Sequence, residues 1–256
     1  MTTTALTPPS IAQAPSRVLA VLRLHFASRY ILIGAPWAIM AIIFVVNLAV
    51  WAIIFASVSS PTDRAEVTAG LQWSGASLYL FVWMSIVAVQ SIMVSFPFAL
   101  GYGVTRRDYY LGTSLTYVLL SVGYATVLTL LAGIEQATDG WGLGGQMFNA
   151  VYFAGDTLVE RFFVFLALLL FFYFSGALGA TVYLRWKQPG LLAAFAALGV
   201  LIVGLCALVT ISQSWQRVFE FATSVGTGGL VALLLVPTAI AALTGYGALR
   251  RATPKN

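Results

Sequence analysis

From Ile31 to Ala56 the chain runs without a single charged residue. A helix crossing the hydrocarbon core of a bilayer takes about 20 apolar residues, so this stretch is long enough to span. Five comparable stretches come after it, and together they predict spans over residues 31–56, 78–100, 111–131, 162–184, 191–211 and 230–249. The third is diluted by Thr113, Ser114, Thr116, Ser121, Thr126 and Thr129, whose hydroxyls can bond back to their own helix. Transmembrane strands are about 10 residues long and alternate strictly, which these runs do not. Only 8% of the 256 residues are charged and 60% are hydrophobic, whereas soluble domains carry about 25% charge. Too few polar groups remain to cover a surface facing water. This excludes a soluble enzyme, a disordered chain and a nucleic-acid-binding domain. The expected fold class is an all-α integral membrane protein. A single transmembrane domain covers residues 16–256, behind a disordered cytoplasmic lead over residues 1–15 that holds Pro8, Pro9 and Pro15.

The basic residues set the expected orientation. With the N-terminus inside, ten of the 13 fall on inner segments: Arg17, Arg23, Arg29, Arg106, Arg107, Arg185, Lys187, Arg250, Arg251 and Lys255. Arg64, Arg161 and Arg217 fall outside. The expectation is six spans in a cell membrane with both termini cytoplasmic. The first run is too long for a signal-peptide core, and no small-residue cleavage pattern closes it. Trp51, Trp73, Trp141 and Trp215 fall near the outer boundary and Trp186 near the inner one, as an aromatic belt would.

The outer connections carry their own signals. Asp63-Arg64-Ala65-Glu66 resembles a helix start. The longest outer segment, residues 134–157, has Gly140, Gly142, Gly144 and Gly145 at its middle. Met147, Phe148, Val151 and Tyr152 then recur at helical spacing. Thr157-Leu158-Val159-Glu160 is a capping box, and Ser214–Ala222 suits a short interfacial helix. In the fourth span, Ser175-x-x-x-Gly179 and Gly176-x-x-x-Ala180 permit close helix packing.

Much chemistry is missing. No G-x-x-x-x-G-K-[S/T] loop is present and the only lysines are Lys187 and Lys255, so the chain does not bind ATP by a P-loop. One histidine, His25, and one cysteine, Cys206, build neither a zinc site nor a nucleophile with its base. No catalytic residue, metal ligand or bound cofactor is expected. The predicted spans hold no Asp, Glu, Lys or Arg near mid-membrane, which argues against a proton-coupled pump. Asn47 and Gln90 are the strongest polar groups there. Each either bonds to another helix or lines a pathway.

Two segments at the inner face stand out. Residues 16–30 predict an interfacial helix with Leu19, Leu22, Phe26 and Tyr30 on one stripe and Arg17, His25 and Ser28 opposite, while Val21 and Leu24 intrude on the polar side. The loop Gly101-Tyr102-Gly103-Val104-Thr105-Arg106-Arg107-Asp108-Tyr109-Tyr110-Leu111-Gly112-Thr113 breaks the second span with two glycines. Thr105 and Asp108 then form a capping pair for a short helix displaying Arg106, Arg107 and Tyr109. A plainer interpretation also fits, because arginines anchor topology and tyrosines sit at interfaces.

Six spans, a basic N-terminal helix and this G-x-G-V-T-R-R-D-Y-Y-L-G-T turn resemble the permease subunits of type-2 ABC exporters. The topology covers the whole chain; the motif covers residues 97–116. The resemblance implies that Thr105, Arg106, Arg107, Asp108, Tyr109 and Tyr110 form a coupling helix seated in a separate P-loop ATPase. It also implies that the helix with Arg17, Arg23 and Arg29 is a connecting helix. Two permease copies would pair, as a homodimer, with two ATPase subunits that carry the ATP and magnesium. The cargo would be hydrophobic or amphipathic: lipid-like, peptide or drug. This chain departs from the family in having its largest outer segment between spans three and four. A non-transporting accessory or immunity protein that binds a peptide or a membrane partner is the alternative, and a stand-alone carrier is a third.

Overall fold

The computed structural model describes residues 17–153 and 155–250, so the lead expected over residues 1–15 lies outside the described residues. All regular secondary structure among them is helical. In chain order the helices are α1 (Arg17–Ala27), α2 (Tyr30–Ser57), α3 (Pro61–Leu71), α4 (Leu78–Gly101), α5 (Arg106–Ala137), α6 (Leu158–Ile211) and α7 (Trp215–Arg250). Helices α2, α4, α5, α6 and α7 are long and apolar enough to cross a membrane.

The first three expected spans fall within α2, α4 and α5. The fourth and fifth both lie in α6, whose 54 residues would reach about 80 Å at 1.5 Å per residue, against a hydrocarbon core of about 30 Å. Helical geometry fails inside α6 at Lys187 (φ 60°, ψ −157°). Pro189 comes two residues later, and a proline lacks the N–H and crowds the carbonyl one turn earlier. Helix α7 likewise breaks at Gly226 (φ 64°). The stretch before the break matches the short helix expected near Ser214–Ala222, and the stretch after it holds residues 230–249.

The local start signals are used. Ser60 caps α3 by accepting from the Thr62 N–H at 3.3 Å. At α6 the Thr157 hydroxyl accepts from the Glu160 N–H, and the Glu160 carboxylate accepts from the Thr157 N–H, both at 3.2 Å. The expected helical repeat over Met147, Phe148, Val151 and Tyr152 forms no helix. The N–H groups of Met147 and Phe148 go instead to the Glu135 carboxylate.

The core lies among α4, α5 and the first arm of α6, with α1 packed on α5. Phe81, Met84, Leu128, Phe165, Leu169 and Tyr173 are its buried centre. Between helices apolar enough to lie in lipid, close packing rather than escape from water would hold the bundle together. Gly176 shows why a glycine is needed: a Cβ there would stand 2.5 Å from the Ser85 carbonyl oxygen on α4. Gly176 and Ala180 are both buried. Gly179, from the companion motif, faces open space. Trp51 is no belt residue. It is buried, and a Cβ on Gly145 would collide with its ring. Residues 192–208 of α6 are exposed throughout, an apolar surface suited to lipid.

Candidate functional site

The elbow between α4 and α5 is built from local rules. Gly103 takes φ 78°, a region that only glycine enters without strain. The Gly103 N–H donates to Leu100 O at 3.0 Å and the Val104 N–H to Ala99 O at 3.2 Å, closing the end of α4. Thr105 is extended (φ −71°, ψ 152°) and its hydroxyl accepts from the Asp108 N–H at 3.1 Å. A cap of this kind contributes about 1 kcal/mol.

Beyond the cap the structure differs from expectation. No separate short helix forms; Arg106 opens a continuous helix of 32 residues, because nothing between Asp108 and Thr113 interrupts the hydrogen-bond ladder. Tyr109 is not displayed. It is fully buried, its hydroxyl donates to the Ser91 carbonyl on α4, and its ring packs 5.2 Å from Phe96. Tyr110 is partly buried and donates to Ala242 O on α7 at 2.5 Å. Arg106 donates through Nη1 to Arg250 O at 2.8 Å, satisfying a carbonyl that the end of α7 would leave unpaired. Arg107 is the exposed one of the two arginines. The elbow therefore grips α4 through Tyr109 and α7 through Tyr110 and Arg106.

Helix α1 docks on the same end of the bundle, with Arg17, Arg23 and Arg29 exposed. A Cβ on Gly112 of α5 would stand 2.7 Å from Val21 Cβ and 2.8 Å from Val18 O. The two backbones approach that closely only because Gly112 has no side chain. Val21 is buried there, and His25 Nε2 lies 3.0 Å from Thr113 Oγ1. Of the predicted apolar stripe, Leu19 and Tyr30 are exposed, while Phe26 packs against the core. Burial lowers the His25 pKa from 6.5 to about 4, so its ring is neutral at pH 7.

Asn47 and Gln90 separate. Asn47 Nδ2 donates to Ser74 Oγ at 3.0 Å, a bond between α2 and the segment leading to α4. Gln90 is exposed and borders a crevice of about 190 Å³ with His25, Ser28, Ser91 and Ser95.

At the opposite end a polar cap covers the bundle, and its organising residue is Glu135. This carboxylate is 1% exposed. It accepts from the N–H groups of Met147, Phe148 and Asn149 and from Trp141 Nε1, at 2.9–3.2 Å. The loop returns to meet it through left-handed residues, Asp139 (φ 50°) and Trp141 (φ 61°) among them. Beside it lies a cavity of about 240 Å³ whose lining includes Asp139, Gln146, Asn149 and Arg161. A second, of about 510 Å³, adds Arg64 and Gln72 and shares Asp139 and Gln146. The Arg161 Nη1 atom is buried without a hydrogen-bond partner. Sequence reasoning passed over both Glu135 and His25. A signal for Glu135 existed, since an acid in the last turns of a helix opposes the macrodipole and needs donors elsewhere. Among the described residues no cluster of His, Cys, Asp or Glu is placed to hold a metal.

Comparison with protein-family models, with curated proteins and with solved structures finds no match to this chain.

Proposed function

We propose that this chain is the transmembrane permease subunit of an ATP-driven ABC exporter. It would work as one of two copies, with a P-loop ATPase bound at the elbow. The observation that carries the proposal is the mechanical wiring of residues 101–110. An exposed Arg107 sits on a rigid turn whose next-door groups bond to α4 at Ser91 and to α7 at Ala242 and Arg250. A push on that turn is passed to two helices at once, as coupling to a cycling ATPase requires. The same stretch carries the resemblance to type-2 exporter permeases. On this proposal the break at Lys187 divides α6 into two spans, which gives six crossings and places both termini on the elbow side of the cell membrane. The exposed apolar faces then meet lipid and the second copy, and the cargo is hydrophobic or amphipathic.

The test is charge reversal. Arg106→Glu with Arg107→Glu should abolish cargo transport while the protein still inserts. Arg107→Glu alone leaves the Arg106–Arg250 bond intact and should lower transport as well. Normal transport and normal ATPase stimulation in the double variant would refute the coupling role.

The polar cap at the other end favours one alternative, a non-transporting accessory or immunity protein that binds a peptide or a membrane partner there. That alternative predicts that the chain purifies from native membranes with no ATPase attached.

A further inference from the structure

Two arginines from two helices line one cavity at the basic end of the bundle, and a third, Arg106, bonds to the backbone beside it. Arg185 of α6 and Arg250 of α7 line a cavity of about 560 Å³ together with Gly247 and Ala248. Arg106 of α5 reaches the same place and bonds to the Arg250 carbonyl at 2.8 Å. Gly247 and Ala248 present almost no side chain, which leaves the cavity room.

Both guanidinium groups lie over aromatic rings. Arg185 lies 4.5 Å from the ring centre of Trp186, and Arg250 lies 5.5 Å from that of Tyr246. A ring face occupies the flat side of a guanidinium and leaves its N–H edge free. Neither arginine has an ion-pair partner among the described residues. The sequence holds no acid between Glu160 and Glu220 and none after Glu220, so neither Arg185 nor Arg250 has an acidic neighbour along the chain. Cations gathered at one point repel one another unless an anion joins them. The N–H edges of two guanidinium groups match the oxygens of a phosphate, which accepts paired bonds. The site also stands where the apolar helices end, the level of the headgroups.

We propose that Arg185 and Arg250, with Arg106 behind them, bind a phosphate oxyanion, supplied by the headgroup of an anionic phospholipid. Basic pockets between helices at a membrane face recognise such headgroups in this way. The occupant would bridge α6, next to its break at Lys187, to the foot of α7. The inference needs only that the chain sits in a membrane and is independent of the exporter proposal.

The experiment is native mass spectrometry of the full chain in detergent, with phosphatidylglycerol and phosphatidylcholine supplied in equal amounts. The wild type should retain phosphatidylglycerol preferentially. Arg185→Gln with Arg250→Gln should retain it about thirtyfold more weakly, since each basic residue near a membrane surface contributes a several-fold factor. Arg185→Lys with Arg250→Lys should recover part of the difference. Circular dichroism and gel filtration check that each variant is folded. A second arm adds inorganic phosphate to lipid-depleted protein and follows the melting temperature. A rise there that the double Gln variant lacks assigns the same site to soluble phosphate. Equal retention of the two lipids by the wild type with no phosphate response, or undiminished binding in the folded double Gln variant, would overturn the proposal.

Discussion

Replacing Glu135 by glutamine tests whether one carboxylate holds the polar cap in place. Four donors converge on its two oxygens: three consecutive backbone N–H groups and the Trp141 indole. Hydrogen bonds to a charged acceptor contribute about 1.5–3 kcal/mol each, though donors that share an acceptor do not add. Glutamine keeps the shape and one oxygen. Its amide nitrogen turns N–H groups toward donors, so about half of the four lose their acceptor. An unmet buried donor costs about 1–3 kcal/mol, and since two donors on one acceptor add incompletely, the loss for the substitution is about 2–4 kcal/mol. The segment around residues 147–149 should then open about thirtyfold to a thousandfold more often. Hydrogen exchange in lipid discs reads this directly, because the amides in question are the exchanging groups. Peptides covering Met147–Asn149 should lose protection in Glu135→Gln, while α4 and α5 keep theirs. Unchanged protection over 147–149 would refute the role given to the carboxylate.

Gly112→Leu should push α1 off α5, because its Cβ alone would fall 2.7 Å from Val21; overpacking costs about 1–3 kcal/mol, and a spin-label distance between α1 and α5 should lengthen or broaden. His25 makes that docking pH-sensitive. Its folded pKa is lowered from 6.5 to about 4, so below pH 6.5 the unfolded chain takes up a proton that the folded chain refuses. Stability present above pH 6.5 is thus lost as pH falls toward 4, by up to about 3 kcal/mol, and melting curves of His25→Gln should lack that loss. Tyr110→Phe removes the bond to Ala242, about 1 kcal/mol; on the exporter proposal it should reduce transport more than ATPase binding, measured on one preparation.

What the sequence made legible was local. The runs long and apolar enough to cross a membrane are continuous in sequence, and the Thr105 and Thr157 caps and the glycine exit from α4 each depend on residues within about one turn of one another. The close approach of Gly176 to α4 also came from small-residue spacing. Non-local features stayed hidden. Nothing near Gly112 points to Val21, and nothing near Glu135 names the loop that folds back on it. Tyr109 misled: a tyrosine beside two arginines suits a surface, yet its hydroxyl finds the Ser91 carbonyl and its ring finds Phe96. Of the elbow, the sequence located the turn and its exposed Arg107; the grip on α4 and α7 needed the fold.

The central claim is that an ATPase sits on this elbow. A photo-crosslinking residue at the exposed position 107 tests it in native membranes. The expected result is a crosslinked adduct whose second component is a P-loop ATPase, and loss of that adduct when the crosslinker is moved to the polar cap at position 64. An elbow that crosslinks only to lipid, in membranes where the chain is folded and abundant, would contradict the claim.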